Sequence, residues 1–417
     1  MDDASPISSQ QSKKSRSVLP HPTRTGTVFV IGTGDMGQLG LGENMVERKK
    51  PMPLKALTDI VDVVCGGLHT LALDIDGKVH SWGCNDQRAL GRDSSGDDGY
   101  EPGQVEGLDD AKIVKIAAGD SISLALSDEG QLFCWGTFRC QEGLLGFSKD
   151  TTIQEVAALF EPLANKKIID IAAGTDHCLA LTEEGQVYSW GDGNCYQLGR
   201  RVIERRKTNA LLPESVGLKN VTLVAAGSYH SFAVAGGELY AWGLNNFQQC
   251  GIVTEDNNEP AADVVQSPTI VAGLRGKGAI KSVQAGEHHS FVLMEDGTVY
   301  AFGRADSSQL GLSAALIEER QTKGKHEDSQ FKKAVGVPTE VPGLENVVAL
   351  TSGSNHGLSA HEDGSCRAWG FGESYALGQG EDEDVPTPSA VTGQKLEGKT
   401  VFRVGAGAQH SVLLADE

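Results

Sequence analysis

The sequence predicts an all-β fold: a seven-bladed β-propeller whose ring is closed by strands from both ends of the chain. Three observations predict it. First, a two-part unit recurs seven times, and a period of this length marks a repeat architecture. The first part reads acidic-Gly-x-apolar-x-x-Trp-Gly, then six residues and Leu-Gly. The second reads apolar-x-x-Ala-Gly-x-x-His-Ser-x-Ala-Leu. Second, each unit alternates apolar residues over strand lengths between Gly turns, as in Lys78-Val-His-Ser-Trp82 and Ile113-Val-Lys-Ile-Ala117. Third, the chain begins with a first part, Val28 to Gly32, and ends with a second part, Val401 to Leu414. One unit is therefore shared between the termini, which removes a sheet edge. Four short strands per unit make a blade. No blade buries both of its faces alone, so neighbours stack and the ring closes.

In chain order, residues 1–24 read as a disordered basic tail and 25–417 as the propeller. The tail holds Lys13, Lys14, Arg16 and Arg24 against Asp2 and Asp3 in a Ser- and Pro-rich setting. The first parts end at Gly32, Gly83, Gly136, Gly191, Gly243, Gly303 and Gly370. The second parts carry His69, His177, His230, His289, His356 and His410, with Ile122 in the remaining unit. Six of the seven first parts have a further glycine eight residues on. After Gly136 the gap is ten, to Gly146. That lengthened turn carries Phe138, Arg139, Cys140, Gln141, Glu142, Gly143, Leu144 and Leu145, an apolar and basic load that a solvated turn does not need. It reads as a wedge held out by a rigid frame. Insertions fall at 147–167, at 200–220 with Arg200, Arg201, Arg205, Arg206 and Lys207, at 252–279 and at 313–346. In a propeller they map to loops on the faces.

Composition bounds the function. The net charge of −20 argues against a body that wraps DNA nonspecifically, because phosphate contacts need cations. The 52 glycines fit many tight turns. No apolar run approaches the roughly 18 residues of a membrane helix, and no membrane contact or signal peptide is expected. The eight cysteines are scattered with no CxxC pair, so neither zinc nor dithiol chemistry is expected, and no cofactor. No nucleophile elbow, HExxH or phosphate loop is present. Gly32-Thr-Gly34 precedes a turn and not a helix, so it is no dinucleotide site.

Because the units superimpose, recurrence separates scaffold from site. The recurring His residues read as structural, their rings satisfying buried backbone groups. Trp82, Trp135, Trp190, Trp242 and Trp369, with Phe302, read as core fillers. The informative positions vary at a repeated place. Just before each structural His stand Leu68, Ser121, Asp176, Tyr229, His288, Asn355 and Gln409. One residue earlier stand Gly67, Asp120, Thr175, Ser228, Glu287, Ser354 and Ala408. Sharing one turn, they should line one mouth of the propeller as a polar, net-acidic recognition surface. Asp176 and His288 are the least turn-like of them. Asp35 is explained equally well by an Asx turn, since Asp86, Asn194, Asn246, Asp306 and Glu373 are its counterparts.

The repeat resembles that of the regulator of chromosome condensation family. Two stretches carry the resemblance more specifically: Gly34-Asp-Met-Gly-Gln-Leu-Gly-Leu-Gly-Glu-Asn-Met-Val-Glu-Arg-Lys-Lys-Pro51 and Gly83-Cys-Asn-Asp-Gln-Arg-Ala-Leu-Gly-Arg-Asp93. The resemblance covers the chain from about residue 25. It implies a monomeric guanine nucleotide exchange factor for the Ran GTPase, nuclear and chromatin-associated, acting without covalent chemistry. It implies a third-blade hairpin, Phe138 to Leu145, wedged against the GTPase nucleotide site. It implies exchange roles for Asp120, Asp176 and His288 and GTPase contacts at Asp35 and Arg200. It also implies a chromatin partner, the nucleosome with its histones and DNA, on the opposite face. Arg205 and Arg206 fit the family's nucleosome loop, and Lys13, Lys14 and Arg16 fit its basic tail. The sequence departs from the family pattern at Cys140 and Gln248. Two other readings compete: a non-catalytic interaction scaffold, and a plant-type UV-B receptor. The receptor would need extra Trp at a dimer face, whereas all five here are blade-core positions.

Overall fold

The structure, a computed structural model, describes residues 18–94, 98–253, 262–321 and 333–416. Lys13, Lys14 and Arg16 lie outside the described residues. Seven antiparallel four-stranded sheets form the blades, and one two-stranded hairpin stands apart from them. Blade 1 is the seam. From the inside out it runs Thr400–Ala406, His410–Asp416, Thr27–Thr33 and Glu47–Pro53. Blades 2 to 7 follow in sequence order, each starting with its innermost strand: Ile60–Cys65, Ile113–Ala118, Ile168–Ala173, Val221–Ala226, Ile280–Ala285 and Val347–Ser352. The one α-helix among the described residues, Ala314–Arg320, sits in the outer connection of blade 6 and is capped by Ser313.

Alternation of strand direction fixes which loops share a face. The turn from innermost to second strand (the mouth turn) and the connection from third to outermost strand (the outer turn) leave at the same end. The turn from second to third strand leaves at the other, far end. Gly at the close of each third strand is held at positive φ, from 94° at Gly136 to 116° at Gly303. A side chain there would also strike the mouth turn, since a Cβ on Gly136 would come within 2.1 Å of the Ser121 carbonyl. Only Gly satisfies both constraints.

The blades are stitched in two recurring ways. Around the mouth, backbone N–H groups donate across every junction: Gly67 to Gly119, Asp120 to Thr175, Thr175 to Ser228, Ser228 to Gly286, Glu287 to Ser354, Ser354 to Gly407, and Ala408 to Gly67, at 3.0–3.3 Å. The ring of bonds is closed. Deeper in, each recurring His meets a hydroxyl of the next blade through Nε2: His69 with Ser123, His177 with Ser231, His230 with Ser290, His289 with Ser352, His356 with Ser411, and His410 with Thr70, at 2.7–2.9 Å. The expectation that these rings satisfy backbone groups is thus corrected. Three of them reach the backbone through the hydroxyl. Ser123, Ser231 and Ser290 donate onward to the carbonyls of Ala89, Gln197 and Gln249. The hydroxyl's proton is spent on the carbonyl, so the imidazole donates from Nε2 and must be neutral at Nδ1. Burial holds the rings neutral, pushing His69 down to about 4 and His177 to about 3. Trp135 and Trp242 donate to the Ala89 and Gln197 carbonyls as well.

Blade 3 breaks the pattern. Where its His would be stands Ile122, and the hydroxyl position it would address in blade 4 is Cys178. Both are fully buried in one apolar cluster with Cys134, Phe138, Phe147, Phe160 and Trp190, and Phe160 stacks on Trp190 with centroids 5.0 Å apart. Donor and acceptor were lost together, so neither is left unpaired in the core.

Residues 18–24, read from the sequence as part of the tail, make contacts with the propeller. Leu19 packs on the blade 3 cluster and its N–H donates to Asp128 in a far turn. Pro22 lines the central channel. Arg24 bonds Asp416 at 2.8 Å and lies over the Phe402 ring. Residues 18–26 therefore cross the far face from blade 3 to the seam.

Candidate functional site

The mouth face gathers the predicted residues. The channel below it, about 610 Å³, is lined by the innermost strands, with Gly67, Asp120, Thr175, Ser228, Ser354 and Ala408 at its mouth end. The lengthened turn of blade 3 is a true hairpin. Phe138–Cys140 pairs with Gly143–Gly146 in the register Phe138 to Gly146, Arg139 to Leu144 and Cys140 to Gly143. Gln141 and Glu142 form its tip, and Gly143 takes φ 122°, open to Gly alone.

A two-stranded ribbon by itself is marginal in water, and the anchors of this one are visible. Phe138 is fully buried and Leu145 nearly so. Burying the Phe ring contributes about 2–3 kcal/mol. The ring packs so closely on blade 4 that a Cβ on Gly191 would come within 3.0 Å of it. These two residues, expected to load the wedge's surface, are its root. Arg139, exposed, and Leu144, 49% exposed, face outward instead. Asp176 then pins the backbone: its carboxylate accepts the Arg139 N–H at 2.6 Å. Burial drives the Asp176 carboxyl up to about 7, the Arg139 bond opposing and the Asp120 and Asp192 charges adding to the rise. Asp120 leans over Gly67, where a Cβ would meet its Oδ1 at 2.3 Å. Desolvation among the turns raises its pKa too, with Arg139 opposing and Glu287 reinforcing. Arg139 is thus the cation shared by the two mouth carboxylates nearest the hairpin.

His288 sits across the mouth, between Tyr229 and Phe247, with ring centroids at 6.3 and 4.8 Å. Its Nδ1 accepts from Gln249 Nε2 at 3.3 Å, and its Nε2 lies 3.5 Å from Glu287. Burial lowers its pKa, Glu287 pulling the other way. Arg304, paired with Asp306 at 2.6 Å, covers the Phe247 ring. Asp35 is exposed in the outer turn of blade 1, and among the described residues no hydrogen bond holds its carboxylate. Gln248 occupies a left-handed position, φ 62°, that Arg88, Tyr196, Ser308 and Tyr375 share in other outer turns.

Arg200 is held within its own blade. Its guanidinium bonds Ser189 Oγ at 2.8 Å and the Ser189 carbonyl at 3.1 Å, and pairs with Glu214 at 3.3 Å, all within blade 4. Arg92 does the same in blade 2, bonding the Ser81 hydroxyl and carbonyl. The expectation of opposite faces is corrected. Arg205 and Arg206 are exposed on a 3-10 segment, Glu204–Leu211, in the outer connection of blade 4. They stand on the mouth face beside the hairpin and not opposite it. The chain enters at residue 18 on the far face.

One signal was missed in the sequence. Among the described residues, every exposed large apolar side chain except Val18 lies on an outer turn of the mouth face: Met36, Met45 and Val46 in blade 1, Leu144 in blade 3, Ile203 and Leu212 in blade 4, and Phe371 in blade 7. Exposed apolar groups collected on one face mark an interaction surface. Among the described residues no group of His, Cys, Asp and Glu is placed to hold a metal.

Comparison with known proteins adds independent findings. A family model described as RCC1-like domain matches residues 27–413. Protein pim1 of Schizosaccharomyces pombe is 40% identical over 412 residues, covering 94% of this chain and 75% of its own. The guanine nucleotide exchange factor SRM1 of Saccharomyces cerevisiae is 36% identical, covering 92% and 86%. The crystal structure of Prp20p from Saccharomyces cerevisiae, described with its binding properties to Gsp1p and histones, superimposes with a TM-score of 0.89 at 35% identity. It covers 96% of this chain and 93% of its own.

Proposed function

The chain belongs to the RCC1-like family, that of the regulator of chromosome condensation, and we propose that it is a guanine nucleotide exchange factor for a Ran-type GTPase. The observation that carries the reading is the hairpin. It stands at the rim of the face that collects the exposed apolar side chains, rooted by Phe138 and Leu145 and pinned to the mouth by Asp176. The similarity to an exchange factor, SRM1, supports it.

An exchange factor does no covalent chemistry. It must bind the nucleotide-free GTPase more tightly than the loaded one. A nucleotide held at picomolar affinity retains about 16 kcal/mol, so unaided release is slow. In this reading Arg139 to Leu144 press on the phosphate-binding loop and magnesium site of the GTPase. Asp120 and His288, with Asp35 further out, hold the opened state. Asp176 serves the same end by fixing the hairpin backbone. The outer-turn apolar residues of blades 7 and 1 support the GTPase across the channel. Arg205 and Arg206, with the basic tail, contact chromatin in the nucleus. The tail enters beside blade 3 and the arginines sit on blade 4, so one chromatin surface reaches both by covering the rim of those two blades. The protein acts as a monomer.

Binding to purified Ran tests the central step. The protein should capture nucleotide-free Ran and release it on addition of GDP or GTP. Equal binding to loaded and empty Ran would make the molecule a scaffold and sink the exchange reading.

A further inference from the structure

A wedge must be stiff in order to push, and a free two-stranded ribbon is not. The hairpin of blade 3 has a second support that the exchange reading does not use. The outer connection of blade 4 lies along it. At the base, Leu211 is buried in the same cluster as Phe138, Leu145 and Phe147, and a Cβ on Gly146 would come within 3.7 Å of Leu211 Cδ1. At the tip, Lys207 Nζ forms an ion pair with Glu142, and the same ammonium pairs with Glu204 at 3.2 Å. Glu142 also accepts from Cys140 Sγ at 3.2 Å, across the hairpin's own turn. The segment Glu204–Leu211 thus touches the hairpin at root and tip. A kink at Arg206, φ −132°, divides it into two short turns.

We propose that this segment is a buttress for the exchange hairpin and that Lys207 is a positioning residue: it acts by holding Glu142 and hence the tip, without touching the GTPase. The proposal rests on the exchange reading for its effect on rate, but not for its effect on the hairpin. Exposed ion pairs are usually weak because two mobile side chains must be ordered. Here Lys207 is itself 26% exposed and bridges two carboxylates on two segments, one of which is anchored in the core through Leu211. Losing the ammonium leaves the root in place and frees the tip. The consequence is a hairpin that still docks and pushes less well.

Three proteins test this: wild type, Lys207→Met, which keeps the stem and removes the charge, and Lys207→Arg, which keeps it. The first readout is amide hydrogen exchange of the free protein over residues 138–146. Lys207→Met should speed exchange there about three- to tenfold while leaving the inner strands of blade 4 unchanged, and Lys207→Arg should stay near wild type. The second is GDP release from Ran. Lys207→Met should lower kcat about three- to tenfold with KM within about twofold, and Lys207→Arg should restore it. Unchanged protection of the hairpin in Lys207→Met overturns the buttress. A raised KM at normal kcat also overturns it, because Lys207 would then contact the GTPase itself. If wild type releases no GDP, the exchange reading fails, and the hydrogen-exchange arm still decides the buttress.

Discussion

Asp176 is the residue at which the mouth and the hairpin are joined. Its carboxylate holds the Arg139 N–H at 2.6 Å, and burial raises its pKa to about 7. The sign follows from that. A carboxyl near 4 when unfolded and near 7 when folded binds its proton more tightly in the native state. Its contribution to stability is therefore full below about pH 4 and is lost as the pH rises to about 7. Asp176→Asn keeps an acceptor oxygen for the hairpin and removes that loss. Its thermal midpoint should gain on wild type between pH 4 and 7 and then hold level; a pH-independent difference would contradict the assignment. In exchange, Asp176→Asn should retain most of the rate, while Asp176→Ala, with no acceptor, should lose about tenfold or more. Equal losses in both would mean that the charge acts on the partner directly. His288 is the contrasting case, since it faces the mouth with no hairpin bond. His288→Ala should slow exchange without lowering the melting temperature by more than a few degrees.

Repetition made the elements legible, and its lapses mark the site. The blade count, the seam and the ten-residue gap after Gly136 could all be read because each unit is a control for the others. The inward turn of Phe138 and Leu145 was in principle readable from strand alternation, Phe138 in and Arg139 out, Leu144 out and Leu145 in, but it depends on knowing that the long turn pairs with itself. The packing of Arg200 within its blade was readable too, because Arg92 occupies the same place two units earlier. Nothing in the sequence marks Lys207, because its partner Glu142 is brought near only by the stacking of blade 4 on blade 3. The loss of polar stitching at that same junction makes a further prediction. Ile122→His alone should destabilise by about 1–3 kcal/mol, burying an imidazole with no hydroxyl to meet. Adding Cys178→Ser should recover part of that, a coupling measurable by a double-mutant cycle in denaturant. Strict additivity would show that the His–hydroxyl bridge is not what the other junctions use.

On the scale of the whole molecule, charge limits where the proposed chromatin contact can be made. The acidic body, net −20, repels nucleic acid, so in the proposed reading the contact is made by the tail and by exposed arginines such as Arg205 and Arg206. Removing residues 1–17 should weaken nucleosome binding most at low salt and flatten its salt dependence. An unchanged affinity at 50 mM salt would make the tail a bystander in that contact. The seam, where Arg24 meets Asp416 and Thr27–Thr33 pairs with His410–Asp416, keeps the ring closed, and in the proposed reading the mouth face stays rigid while one hairpin does the pushing. That division of labour is the central claim. Release of a fluorescent GDP from Ran, driven by catalytic amounts of this protein and of a variant lacking Gln141 and Glu142, tests it most directly. The account predicts strong acceleration by wild type, and by the variant a kcat lowered far more than KM is raised. Full acceleration by the shortened hairpin would contradict it.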